Sequence, residues 1–124
     1  MASVVLLIDD DPILGPVTIE LLQAMGHKAS WVESYESGID TLSSPHDITI
    51  VLLDLQLGAQ RGEALIDQLR SAGKNIPPVL IFSAQPMGEL RQAANSIKAS
   101  GILQKPCDAT TINNAIRMAA TANV

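Results

Sequence analysis

One feature limits what this chain can fold into: two kinds of segment alternate along it. Short apolar runs rich in β-branched residues occur at Val4–Ile8, Ala29–Val32, Ile48–Leu53, Val79–Phe82 and Ile102–Gln104. Longer amphipathic segments follow them, at about Leu14–Met25, Tyr35–Leu42, Gly62–Ser71, Gly88–Ala99 and Ala109–Ala120. A strand, a helix and a second strand pack as a right-handed βαβ unit, and successive units build a parallel sheet. The spacing therefore predicts an α/β domain with five strands and five helices. Ile48–Leu53 reads as a central strand, since a nearly continuous apolar run suits a position covered on both faces.

Local punctuation agrees. Gly26 follows the first helical pattern as a C′ residue. Gly73, with Pro77 and Pro78, separates the third helix from the fourth strand. Asp108 is placed to cap the last helix, because its carboxylate accepts unpaired amides of the first turn. Pro16 follows Pro12 too closely for a regular helix to run through both, so the first helix becomes regular around Ile13–Pro16.

Composition narrows the function classes. Hydrophobic residues make up 47% of the chain and aromatics 2%, so the core must be aliphatic. The net charge of −5, without a Lys/Arg cluster, argues against a nucleic-acid partner. The single cysteine, Cys107, excludes an internal disulfide and fits a reducing compartment. The early apolar run Val4–Ile8 is too short for a membrane span or a signal segment. A soluble, cytoplasmic protein with no membrane partner is expected.

The polar residues carry the chemistry. In an open parallel sheet, ligands bind beyond the carboxyl ends of the strands, where strand order reverses. The first strand runs into Asp9, Asp10 and Asp11; the third ends at Asp54, the fourth at Ser83 and the fifth at Lys105. Three or more carboxylates converging there would repel one another without a cation. Mg²⁺ suits such a site, since it takes carboxylates, waters and substrate phosphate. A carboxylate nucleophile can form an aspartyl phosphate, and Lys105 is a compact charge able to balance a phosphoryl group.

Four motifs resemble the receiver (response regulator) domains of two-component signalling. They are Val5-Leu-Leu-Ile-Asp9-Asp10-Asp11-Pro12; Val51-Leu-Leu-Asp54-Leu-Gln56-Leu with Gly62 eight residues beyond Asp54; Ile81-Phe-Ser83-Ala84; and Gly101-Ile-Leu-Gln-Lys105-Pro106. The resemblance spans essentially the whole chain. It implies a flavodoxin-like, doubly wound sheet in the order 2-1-3-4-5, and one receiver domain over residues 1–124 with no effector domain among them. It makes Asp54 the phosphoacceptor. It gives Mg²⁺ to Asp9, Asp10, Asp54 and the backbone carbonyl of Gln56. Ser83 becomes the hydroxyl that swings toward the phosphoryl group, Lys105 its cation, and Ala84 a small residue leaving room for the donor. Gln56 and Gln85 flank the water approach. Ile13, Leu14, Pro106 and Cys107 become the partner surface.

The implied activity is Mg²⁺-dependent transfer from a partner phosphohistidine to Asp54. The partners are then a sensor histidine kinase or a histidine phosphotransfer protein upstream, and a protein target or fused effector downstream. Such a chain catalyses its own phosphorylation and dephosphorylation without being a conventional enzyme. His27 and His46 read as surface histidines, so the donor must come from a partner; Met25, Met87 and Met118 read as packing residues.

Two positions depart from the family pattern. Gly58 stands where a proline is usual, which predicts a more mobile loop. Ile102 replaces the usual aromatic, so a ring turning inward cannot relay movement of Ser83. Three rival readings exist. A receiver-like interaction module that signals without phosphorylation would commonly lose the acidic pair or the lysine, which this chain keeps. An aspartyl-nucleophile phosphatase would need an acid where Gln56 stands, and a cap domain. A flavin-binding module would set its phosphate against the Asp cluster.

Overall fold

A computed structural model describes residues 2–122. The main sheet has five parallel strands: β1 (Val4–Ile8), β2 (Lys28–Val32), β3 (Ile50–Leu53), β6 (Val79–Ser83) and β7 (Gly101–Gln104). Their order is β2-β1-β3-β6-β7. That is the expected 2-1-3-4-5 order once a small antiparallel pair, β4 (Gln56–Leu57) and β5 (Gln60–Arg61), is set apart. The helices are α1 (Leu14–Ala24), α2 (Tyr35–Ser43), α3 (Gly62–Ser71), α4 (Met87–Ile97) and α5 (Ala109–Ala122).

Alternation along the strands divides the core into two layers. Leu6, Ile8, Val51, Leu53 and Ile81 face α2, α3 and α4, where they pack with Leu42, Leu65, Ile66, Leu90 and Ile97. Val5, Leu7, Ile50, Leu52 and Leu80 face α1 and α5, against Leu22, Ile112 and Ile116. The buried side chains are overwhelmingly aliphatic. Ile48 and Thr49, expected in the third strand, precede it instead. Thr49 ties its start to β1, taking the Val4 N–H on its hydroxyl and giving its own N–H to the Val4 carbonyl.

The hairpin was not legible as strands. Gly58 sits at its tip with φ +58°, the only positive φ of the two tip residues. That is the pattern of a type II′ turn, which places glycine first. Proline, confined to φ near −65°, has no access to this conformation. The departure at Gly58 thus falls at the tip of a paired hairpin.

Two side-chain expectations need correction. His27 is buried: its Nδ1 accepts the Ser3 N–H at 3.0 Å, and its Nε2 bonds Asn113 at 2.8 Å. It ties the start of β1 to α5, a long-range role that local sequence does not reveal. His46 is exposed, as expected. Met118 is 72% exposed and packs on nothing in the core, because the buried stripe of α5 runs through Ile112, Ile116 and Ala119. Val17 is exposed along with Ile13 and Leu14, since Gly15, Thr18 and Leu22 face inward.

Candidate functional site

The carboxyl ends of β1, β3, β6 and β7 open into one cleft of about 440 Å³. It is lined by Asp9, Asp10, Asp11, Leu14, Asp54, Gln56, Ser83, Ala84, Gln85 and Lys105. Every residue expected at the phosphoryl and metal site is thus gathered in one place. The sheet does this: Ile8 pairs with Leu53, so Asp9 and Asp54 leave their strands side by side. Lys105 N–H bonds the Ser83 carbonyl at 2.8 Å, which aligns the ends of β6 and β7.

Asp9 is buried, Asp54 half-buried and Asp10 exposed, and one oxygen of each lies within 4.8 Å of the others. Lys105 Nζ is 2.5 Å from Asp9 Oδ2 and 3.6 Å from Asp54 Oδ2. It also sits 4.7 Å from the centre of the Phe82 ring, a cation–π contact. Asp54 Oδ1 accepts the Gln56 N–H at 3.3 Å. Burial pushes the Asp54 carboxyl above its ordinary range, and Asp9 and Asp10 push it further; Lys105 and the Gln56 amide oppose them. One ammonium thus faces three carboxylates. An all-oxygen donor set with surplus negative charge fits a hard divalent cation such as Mg²⁺.

Asp11 acts locally. Its Oδ1 accepts the Ile13 and Leu14 N–H groups, each at 2.9 Å, and those bonds hold its carboxyl below the usual range. They start α1 two residues after Pro12, where the expected helix becomes regular.

Ser83 is buried, and its Oγ accepts only a long bond from the Gln85 N–H, at 3.4 Å. Around it runs a chain of amides. Gln85 Nε2 donates to Gln56 Oε1 at 2.7 Å, and Gln104 Nε2 donates to the Gln85 carbonyl at 3.0 Å. Gln104 was not singled out from sequence; its place immediately before Lys105 was the available signal. Ala84 is exposed at the rim.

Ile102 lies outside the cleft, partly buried against the α2–α4 layer. Pro106 and Cys107 line a separate apolar groove of about 360 Å³ with Leu14, Val17, Leu21 and Ile112. Leu14, Ala84 and Lys105 border both hollows. Ile13 stands in neither and is 74% exposed. Burial pushes the Cys107 thiol above its ordinary range, Asp108 adds to this, and Lys105 opposes it.

The model of the response regulator receiver domain matches residues 5–117. The chain belongs to that family. It is 33% identical over 103 residues to the transcriptional regulatory protein QseB of Escherichia coli O157:H7, covering 82% of this chain. The receiver spans about half the length of that curated relative, 46% of it. Among solved structures, a response regulator receiver protein from Burkholderia phymatum aligns with a TM-score of 0.83 at 23% identity, covering 96% of this chain and 95% of that one. The chemotaxis protein CheY4 of Vibrio cholerae aligns with a TM-score of 0.82 at 17% identity, covering 94% and 98%. At these identities the structures speak for the flavodoxin-like receiver fold. Among the described residues, no helix is long and apolar enough to cross a membrane.

Proposed function

We propose that this receiver takes a phosphoryl group on Asp54 from a partner phosphohistidine, and that the aspartyl phosphate switches its protein–protein contacts. The observation that carries the reading is the juxtaposition of Asp9, Asp10 and Asp54 within 4.8 Å, with Lys105 between Asp9 and Asp54.

An Asp54 carboxylate oxygen attacks phosphorus, and the phosphorus–nitrogen bond of the donor breaks. The leaving imidazole keeps that electron pair and takes a proton from solvent. Asp9, Asp10, Asp54 and the Gln56 carbonyl would hold Mg²⁺, which when bound offsets charge on the carboxylates and phosphoryl oxygens. Lys105 supplies a fixed charge beside Asp54. Ser83 supplies a hydroxyl with little to give up, since its one contact is long. Dephosphorylation reverses the state when water attacks phosphorus: the bond from phosphorus to the Asp54 oxygen breaks, the carboxylate is restored, and inorganic phosphate is released with the water's proton passing to solvent.

A sensor histidine kinase or a histidine phosphotransfer protein is the donor, and a protein target or fused effector reads the result. The apolar groove along α1 and Cys107 adjoins Lys105 and is the surface offered to the donor. With Ile102 in the place of an aromatic, output must come from the loops after Ser83 and Lys105.

Intact mass after incubation with Mg²⁺ and acetyl phosphate or phosphoramidate tests the reading. One added phosphoryl mass on wild type and none on Asp54→Asn is expected. Labelling of Asp54→Asn as strong as wild type would refute the assignment. An unlabelled wild type would leave a receiver-like interaction module in its place.

A further inference from the structure

The chain has one Trp, one Tyr and one Phe, and each touches a residue of the acidic cleft. Phe82 lies under the Lys105 ammonium. The other two act on the main chain. Trp31 Nε1–H donates to the Asp9 carbonyl at 2.6 Å, and the Tyr35 hydroxyl donates to the Asp54 carbonyl at 2.8 Å.

The sheet explains why those carbonyls are free. Asp9 N–H still reaches the Val32 carbonyl, and Asp54 N–H the Ile8 carbonyl. Beyond these rungs the strands part, so the carbonyls of Asp9 and Asp54 have lost their ladder donors. Trp31 on β2 and Tyr35 at the start of α2 extend the ladder by one rung on each side. Both donors come from one five-residue stretch and grip both carboxylate-bearing residues from behind.

The packing around them is close. A Cβ on Gly15 would lie 2.3–2.8 Å from Trp31 ring atoms, so α1 carries glycine where the indole passes. Tyr35 is buried, with its hydroxyl on the Asp54 carbonyl. A Cβ on Gly62 would lie 3.2 Å from the same Asp54 carbonyl. That carbonyl thus has Gly62 packed close to it as well as the Tyr35 hydroxyl.

We propose that Trp31 and Tyr35 are positioning residues of the phosphoryl-transfer site, holding the main chain of Asp9 and Asp54 so that their carboxylates stay at a fixed separation. This rests on the phosphoacceptor reading given above. The simpler role, a buried aromatic finding a partner for its polar tip, would affect folding alone.

The test compares wild type, Tyr35→Phe, Trp31→Phe and Gly15→Ala. Ile116→Val serves as a control that loses a core methyl on α5, away from the cleft. Three quantities are measured: Mg²⁺ affinity by calorimetry, the phosphoramidate dependence of labelling at saturating Mg²⁺, and the thermal midpoint. Tyr35→Phe should lower the maximal labelling rate about fivefold, the scale of one hydrogen bond, with the half-saturating donor concentration unchanged. Trp31→Phe should weaken Mg²⁺ binding severalfold. Gly15→Ala, which displaces the indole while leaving it in the chain, should reproduce that loss. Ile116→Val should lower the midpoint and change neither function.

Wild-type rates and affinities in Tyr35→Phe and Trp31→Phe would overturn the positioning assignment while leaving the phosphoacceptor reading intact. So would the same losses in Ile116→Val. A wild type that neither binds Mg²⁺ nor takes a label would overturn both.

Discussion

The two halves of the cleft are built differently. On the β1–β3 side, Asp9 is buried with both carboxylate oxygens engaged: Oδ1 accepts the Asp11 N–H at 3.1 Å, and Oδ2 meets Lys105 at 2.5 Å. Lys105 is itself 13% exposed and braced on Phe82. On the β6 side, the Ser83 hydroxyl has one bond of 3.4 Å, and the amide chain of Gln85, Gln56 and Gln104 lies mostly at the surface. A charge-assisted, buried bond contributes more than an exposed neutral one, where water competes. The contrast separates two tasks. The first half fixes its charges through buried, charged bonds; the second holds its hydroxyl and amides by neutral bonds, weaker ties that the proposed phosphoryl group would compete with.

The sharpest way to break this division is to weaken each half in turn. Asp9→Ala removes a carboxylate from the proposed cation site and leaves the Lys105 ammonium with Asp54 as its remaining carboxylate partner. Charged hydrogen bonds of about 1.5–3 kcal/mol correspond to a loss of roughly tenfold or more in Mg²⁺ affinity. Ser83→Ala should leave that affinity unchanged in the same calorimetry, and should slow labelling roughly tenfold by removing one donor to the phosphoryl oxygens. Equal weakening of Mg²⁺ binding by both variants would show that the halves are not separate.

A smaller effect is expected at the groove proposed for the partner. Leu14 borders both the cleft and the apolar groove, so substituting it mixes two effects. Val17 is 54% exposed and lines the groove alone. Val17→Lys should slow transfer from a phosphorylated histidine domain severalfold and leave phosphoramidate labelling intact. Equal slowing of both reactions would place the fault in the cleft.

Much of this contrast was legible in the sequence, and the reasons it stopped short are physical. Asp9, Asp54, Ser83 and Lys105 each end an apolar run, so strand order alone brings them together. The central strands were readable because β1, β3 and β6 are covered on both faces. Edges were harder: Lys28 and Gly101 belong to strands that local composition would not extend to them, and pairing with a neighbour decides the matter. The hairpin at Gly58 consists of two-residue strands, below the length at which alternation carries a signal. Tyr35 reads as an ordinary helix start and Trp31 as an ordinary strand residue. Their bonds to Asp54 and Asp9 span 19 and 22 residues and arise only when β2 lies beside β1. His27 escaped for the same reason, its partner Asn113 being 86 residues away.

The amide chain allows a finer test of mobility. Gln85 bridges Gln56 and Gln104, so Gln85→Ala cuts the side-chain link from β4 to the loop after Ser83. No charge is removed. Decay of the labelled protein should therefore change a few-fold, and more than its rate of labelling. Hydrogen exchange on phosphorylation should then be largest at Ser83–Met87 and Lys105–Asp108. Identical decay in wild type, Gln56→Ala and Gln85→Ala would remove the glutamines from the mechanism. A maximum of exchange at Ile102 would mean that β7 relays the change after all.

The smallest effect concerns the hairpin that holds Gln56 at the mouth of the cleft. Gly58 has φ +58° and open space around it, since a Cβ there would meet nothing within 4 Å. Gly58→Ala therefore isolates the backbone cost of a left-handed conformation, about 1 kcal/mol, from any steric clash. If β4 and β5 fold as part of the domain, the whole of that cost appears in denaturant unfolding as a lowered midpoint with an unchanged slope. If the hairpin opens by itself, global stability hardly moves and only the Gln56–Arg61 amides exchange faster. The site distinguishes the same cases. A fixed hairpin keeps Gln56 on Gln85 and leaves phosphoryl decay as in wild type; a loosened one should match Gln56→Ala. Gly58→Ala with full stability, unchanged exchange and unchanged decay would mean that the tip of the turn does not hold the left-handed conformation in solution.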